Sequence, residues 1–255
     1  LRALSLYEHK DTIIHRIDPI SKLLYILAII LIPIILPTMT VALICLAVST
    51  IIILLAKIIR KVIPLISFSF LILLSIFIIQ GLFKAENETP LFHIGKLTFY
   101  KEGIYYALEI SIRVINILSA FAILVLTTKP SDLIEALVRK GLSPRFGYVL
   151  SSVLQIIPQM TTTMGTITDA QRSRGMETEG KLLVRLKAFI PLIGPVVMSS
   201  LLNTGERSMA LEVRGFNSKT KKTFLNEENT NIYHRFIQWG LVALIVMAII
   251  WRIIS

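Results

Sequence analysis

Residues 62–83 read VIPLISFSFLILLSIFIIQGLF, twenty-two positions without a single charge. A helix rises about 1.5 Å per residue, so this stretch is about 33 Å long, enough to cross the roughly 30 Å hydrocarbon core of a bilayer. Four more windows read the same way: Ile20 to Leu36 and Val41 to Ile59 before it, Ile104 to Thr127 and Phe236 to Ile254 after it. Hydrophobic residues make up 54% of the 255 positions and charged ones 17%, and the mean hydropathy is +0.73. That composition excludes an ordinary water-soluble domain and, equally, an intrinsically disordered chain. Cys45 is the only cysteine, and with four histidines it gives none of the tight spacings of a zinc site, so neither disulfides nor a structural metal are expected. The fold class predicted is all-α: a polytopic membrane protein of about five transmembrane helices plus a cytoplasmic or interfacial helical module.

A net charge of +11 raises the question of nucleic acid, which is answered by where the charge sits. No stretch interleaves basic and aromatic residues as a stacking platform does, and the cations lie between apolar windows, so no nucleic-acid partner is expected. The leader carries Arg2, Lys10, Arg16 and Lys22, the link after the second window Lys57, Arg60 and Lys61, and the link Pro37 to Thr40 none. Fifteen Lys and Arg fall between Thr128 and Arg235. The loop from Lys84 to Gly103 offsets its three cations with Glu86, Glu88 and Glu102 and reads as a solvated outer connection. The predicted topology has a cytoplasmic N-terminus, five crossings and an outer C-terminus, in a bacterial-type cell membrane. The first window, preceded by polar residues and followed by no small-residue cleavage site, is read as a retained span. Three regions result: 1–127 with four spans, 128–235 as the cytoplasmic module, and 236–255 as the last span.

Pro33, Pro37 and Pro64 lie within or beside spans and are expected to kink or begin helices. Glu109 and Arg113 stand four apart on one helix face, in the order that favours an ion pair. A self-neutralising structural pair is the first reading, contact with a partner or a substrate route the second. His9, His15, His93 and His234 sit in or near loops with no visible ligand partner.

Within the module, Lys129-Pro130-Ser131-Asp132 opens a short helix that closes at Arg139-Lys140-Gly141, with Leu133, Ile134, Leu137 and Val138 as an apolar stripe opposite Asp132, Glu135 and Arg139. A second helix starts at Ser143-Pro144, is expected to kink at Pro158, and runs through Thr161, Thr162, Thr163, Thr166 and Thr168 to Arg174-Gly175. A third starts near Lys181, passes Leu182, Leu183, Leu186, Ile190 and Ile193, is expected to be interrupted at Pro191 and Pro195, and ends at Arg214-Gly215. Its apolar middle, Phe189 to Leu202, is assigned to the membrane boundary. Both long helices thus end in an arginine followed by glycine, forty positions apart. A cation there complements the helix dipole by a few tenths to about 1 kcal/mol, and many helices end so. The sharper reading is a guanidinium fork held at a stiff tip, able to enter a carboxylate-bearing groove on another protein.

The tripeptides Ser173-Arg174-Gly175 and Val213-Arg214-Gly215 resemble the Ala-Arg-Gly-like pair of the transmembrane T components of energy-coupling factor transporters, with Ser173 and Val213 in place of the alanines. The leader His15-Arg16-Ile17-Asp18-Pro19-Ile20-Ser21-Lys22 is similar to that family's His-x-Leu-Asp-Pro-Arg-x-Lys, and Thr127-Thr128-Lys129-Pro130-Ser131-Asp132-Leu133 to its Thr-Thr-x-Pro-x-Asp-Leu. The resemblance covers about His15 to Phe216 in order. It implies a scaffold without chemistry of its own and with no cofactor bound by this chain. Two ATPase subunits holding ATP and Mg would take Arg174 and Arg214 in their grooves. A separate membrane-embedded S component would bind a vitamin, a vitamin precursor or a transition-metal ion. His15, Asp18, Pro19 and Lys22 carry over as the leader motif.

No Gly-x-x-x-x-Gly-Lys-Ser/Thr loop occurs, so no ATPase is expected in this chain itself. His-Glu-x-x-His and Gly-x-Ser-x-Gly are likewise missing, which argues against a membrane-embedded enzyme. A self-contained secondary transporter or channel is the alternative, and it ordinarily shows repeated halves or several midplane charges. Five unequal windows with one insert do not repeat.

Overall fold

The computed structural model describes residues 7–8, 10–83, 89–94, 97–176, 182–218, 224 and 232–254, without the side chains of 92–98, 182–189 and 232. Arg2, His9, Lys84, Glu86, Glu88, Lys96, Lys181 and the stretch 219–231 apart from Phe224 lie outside the described residues, as do the side chains of His93, Leu182, Leu183 and Leu186. The order of elements is α1 (Pro19–Ile35), α2 (Met39–Leu55), α3 (Ile59–Phe83), β1 (Pro90–Ile94), β2 (Leu97–Tyr100), α4 (Lys101–Thr127), α5 (Pro130–Arg139), α6 (Pro144–Ser173), α7 (Leu182–Val213) and α8 (Ile232–Ile254). They form two compact units: Ser5–Leu137 with Glu228–Ser255, and Val138–Glu227.

In the first unit α4 is central, packed on α1, α2 and α3, while α8 packs mainly on α1. Small residues on α4 permit this, among them Gly103, Ala107, Ser119, Ala120 and Ala122, all buried. One apolar cluster joins Ile26 and Ile29 of α1, Cys45 of α2 and Ala120 and Leu124 of α4. A second joins Ile14 of the leader to Ile53, Ile58, Val62, Ile123 and Leu126. The outer surfaces stay bare: protein covers 11% of the most apolar window of α3 and 6% of that of α8, against 39% for α4. Water would not tolerate Phe68, Phe70, Leu71 and Trp239 so exposed, whereas lipid is matched to them. The helices α3, α4 and α8 are long and apolar enough to cross a membrane. With 17 residues each, α1 and α2 reach about 25 Å and stand at the short end of that range. The chain is an all-α polytopic membrane protein.

One end of this unit gathers the start of α1, the end of α2, the start of α3, the end of α4 and the start of α8. Lys10 Nζ donates to Lys57 O at 2.8 Å, Glu8 N to Leu126 O at 3.1 Å, and Gln238 Nε2 to Asp18 Oδ2 at 2.9 Å. Successive helices therefore alternate in direction.

Two local departures from the sequence reading have simple causes. The connection after α3 is not wholly irregular: β1 and β2 pair antiparallel, with Phe92 opposite Phe99 and Ile94 opposite Leu97. Its base is tied to α4 by Lys101 N donating to Thr89 O and by the Glu102 carboxylate, which accepts from Thr89 N. The second departure concerns prolines. Helix α7 is not interrupted at Pro191 or Pro195. Each proline removes one hydrogen bond, but Pro191 and Pro195 are four apart, so both losses fall on a single face of α7, and that face is exposed.

In the second unit α6 and α7 run antiparallel. The Tyr148 and Phe216 rings lie 5.2 Å apart, and Arg207 donates to Gln159 Oε1 at 2.9 Å. Thr163, Ser200 and Asn203 line the same cleft as that pair, together with Ile156 and Met160. Along α6 the hydroxyls of Thr161 and Thr162 donate back to Pro158 O, that of Thr166 to Thr162 O and that of Thr168 to Met164 O.

Candidate functional site: two arginine-tipped helix ends

Helix α6 begins as its sequence dictates, with the Ser143 hydroxyl accepting from Phe146 N at 3.3 Å and Pro144 in the first turn. It ends in a fully formed Schellman cap. Gly175 N donates to Arg172 O at 2.9 Å, Met176 N to Gln171 O at 3.1 Å, and Gly175 takes the left-handed conformation at φ +85°. The C-cap residue itself is Arg174.

Helix α7 closes in the same way. Gly215 N donates to Glu212 O at 2.9 Å, Phe216 N to Leu211 O at 3.0 Å, and Gly215 stands at φ +69°. The arginine preceding each left-handed glycine is therefore held in one geometry twice. Both side chains are exposed, and neither makes a hydrogen bond or ion pair with another described residue. Ser173 donates its hydroxyl to Asp169 O at 3.1 Å, and Val213 is 90% exposed. Because the helices are antiparallel, with Phe216 beside the start of α6, the two guanidiniums stand at opposite ends of the pair. The carbonyl end of the helix dipole lies near each arginine and favours a cation there.

The leader residues take a different part, within the other compact unit. The Lys22 side chain is buried and donates to Thr127 O at 3.0 Å and to Thr128 Oγ1 at 3.1 Å. The two segments singled out in the sequence, His15 to Lys22 and Thr127 to Leu133, thus meet through one ammonium. Asp18 is the N-cap of α1 and Pro19 its first residue, and the Asp18 carboxylate bonds Gln238 instead of its own helix. His15 donates from Nε2 to Glu8 O at 3.0 Å and bonds Thr12 Oγ1 through Nδ1 at 2.7 Å, which folds the leader. Glu109 and Arg113 form the ion pair their spacing predicts. Sequence reasoning passed over Gln238 and Asn116. Asn116 is wholly buried and donates from Nδ2 to Ala42 O at 3.0 Å, fastening α4 to α2. Among the described residues no group of three or more His, Cys, Asp or Glu is placed to hold a metal.

A family model described as cobalt transport protein, CbiQ, matches residues 10–224, a span that takes in both capped tips and the leader. The chain belongs to the CbiQ/EcfT family. It is 29% identical to the energy-coupling factor transporter transmembrane protein EcfT of Lactococcus lactis, over 96% of each chain. The protein of the same name from Staphylococcus aureus is 30% identical over 84% of this chain and 83% of its own length. That from Streptococcus equi is 29% identical over 97% and 93%. As a CbiQ/EcfT member this is a bacterial membrane protein and a transmembrane T component of an energy-coupling factor transporter.

Proposed function

We propose that this chain is the non-catalytic coupling subunit of an ATP-driven importer. Two ATPase subunits, which hold ATP and Mg, receive Arg174 in one groove and Arg214 in the other. Closure of the ATPase pair displaces the two tips, and α6 and α7 carry that displacement to a substrate-binding S component. The S component then releases a vitamin, a vitamin precursor or a transition-metal ion inside the cell. The membrane unit crosses five times with its N-terminus in the cytoplasm. The alternating helix directions support that topology, as does the collection of Lys10, Arg16, Lys57, Arg60 and Lys61 at or beside the end where α1 starts.

The observation that carries this reading is the duplicated cap: the same three-residue geometry offers an exposed arginine at each end of one antiparallel helix pair. A self-contained transporter has no use for that arrangement. Truncating a charge that is buried in an interface typically costs about 2 to 5 kcal/mol, and reversing it costs more. Replacing both arginines, Arg174→Glu with Arg214→Glu, abolishes co-purification with ATPase subunits and ATP-dependent uptake while the chain remains folded in the membrane. Unchanged uptake in the double variant removes the reading.

A further inference from the structure

The second unit has two roots, the chain ahead of Leu137, where it leaves the membrane unit, and the chain after Glu228, where it returns along α8. Both are fastened, on the membrane side, to a single turn of α1. Asp18, Ser21 and Lys22 occupy positions i, i+3 and i+4 and so share one helix face. Lys22 holds the outgoing root through Thr127 O and Thr128 Oγ1. Asp18 Oδ2 and Ser21 Oγ hold the returning root, accepting from Gln238 Nε2 at 2.9 and 3.3 Å.

Ser21, Lys22, Thr127 and Thr128 are all buried, in a chain whose neighbouring residues are overwhelmingly apolar. Burying an ammonium is unfavourable unless its donors are used, and here they satisfy a carbonyl that the end of α4 leaves without a helical partner. Opening this contact would strand a charge and a carbonyl together, so the turn resists displacement more than a purely apolar contact would.

We propose that Asp18, Ser21, Lys22 and Gln238 are positioning residues that form a fixed root clamp, confining ATP-driven displacement to the chain between Leu137 and Glu228. The inference rests on the coupling-subunit reading above. A lever transmits force only if its root stays still. With the clamp loosened, the ATPases still bind the tips and turn over, but their motion dissipates at the roots instead of reaching the S component.

The test uses the complete complex in proteoliposomes, with ATP hydrolysis and uptake measured side by side. Lys22→Met and Gln238→Leu keep side-chain volume and remove the bonds. The expected result is normal assembly, hydrolysis within about twofold of the parent, and uptake per ATP reduced at least tenfold, with Lys22→Arg recovering part of the loss. If the assembled variants transport with an unchanged ratio, the clamp is merely structural and the proposal falls. A second measurement does not depend on their folding. Ser21→Cys with Gln238→Cys, in a Cys45→Ser background, removes the Gln238 bonds and should lower uptake per ATP, and a short bis-thiol linker bridging the two cysteines should restore it, because the clamp then stays shut throughout the cycle. A bridged variant that transports no better than the unbridged one overturns the proposal. Failure of the coupling-subunit reading looks different: the parent chain itself would then hold no ATPase.

Discussion

The ring of Tyr148, in the second turn of α6, lies 5.2 Å from the ring of Phe216, two residues beyond Arg214. This contact sets the end of α7 against the start of α6, and Arg174 against neither. The rise of α6 from Tyr148 to its own tip then places the two arginines about 40 Å apart. Spin labels on Arg174→Cys and Arg214→Cys in a Cys45-free chain should give a pulsed-EPR distance near that value. A peak below about 25 Å would mean that the helices do not run antiparallel.

Gly175 and Gly215 have open space where a Cβ would go, so crowding does not explain why they are glycines. Their positive φ does, since an ordinary L-residue there costs about 1 to 2 kcal/mol. Asparagine tolerates this conformation and β-branched residues do not. Titration of the ATPase subunits should show Gly175→Asn and Gly215→Asn close to the parent and the valine variants roughly tenfold weaker, a factor worth about 1.4 kcal/mol. Equal affinities would show that cap geometry does not aim the arginines.

At the far end of the membrane unit, α3 and α4 touch backbone to backbone. A Cβ on Gly103 would lie 2.3 Å from Gln80 O and 3.0 Å from Gly81 Cα. Backbone cannot swing aside as a side chain can, so Gly103→Ala should destabilise by about 3 kcal/mol or more. Gly81→Ala meets side chains alone, the Phe99 ring at 2.9 Å and Ile104 Cγ1 at 3.8 Å, and should cost about 1 kcal/mol. Thermal unfolding in detergent ranks the two, and a reversed order would refute the close approach.

The Glu109–Arg113 pair is partly buried within α4. Glu109→Gln leaves the guanidinium without its counter-charge and should lower stability by about 1 to 3 kcal/mol, whereas adding Arg113→Gln should recover most of that. A double variant that is stable but inactive in transport would transfer the pair from a structural role to a partner or substrate route.

Features set by local chemistry are legible in the sequence alone. Ser143-Pro144 starts α6 as a cap must, and the Arg-Gly steps at 174–175 and 214–215 mark both helix ends to the residue. Features that depend on residues far apart in the chain are not. Gln238 is an unremarked amide in an apolar helix until Asp18, 220 positions earlier, is beside it. Asn116 likewise means little until Ala42 O is found opposite its amide. The prolines of α7 mislead for another reason: a missing hydrogen bond is a local fact, but whether it ends a helix depends on what the rest of that helix gains by continuing.

The threonines of α6 carry a lesson about wetting. Hydropathy scales score each as half-polar because its hydroxyl is assumed to seek water, and on that score the helix belongs in the aqueous phase. With the hydroxyls at 161, 162, 166 and 168 engaged by the helix's own carbonyls, much of what an approaching surface meets is methyl, as on a row of valines. Such a rod can rest against acyl chains or another protein's greasy flank and slide along either without first shedding tightly held solvent.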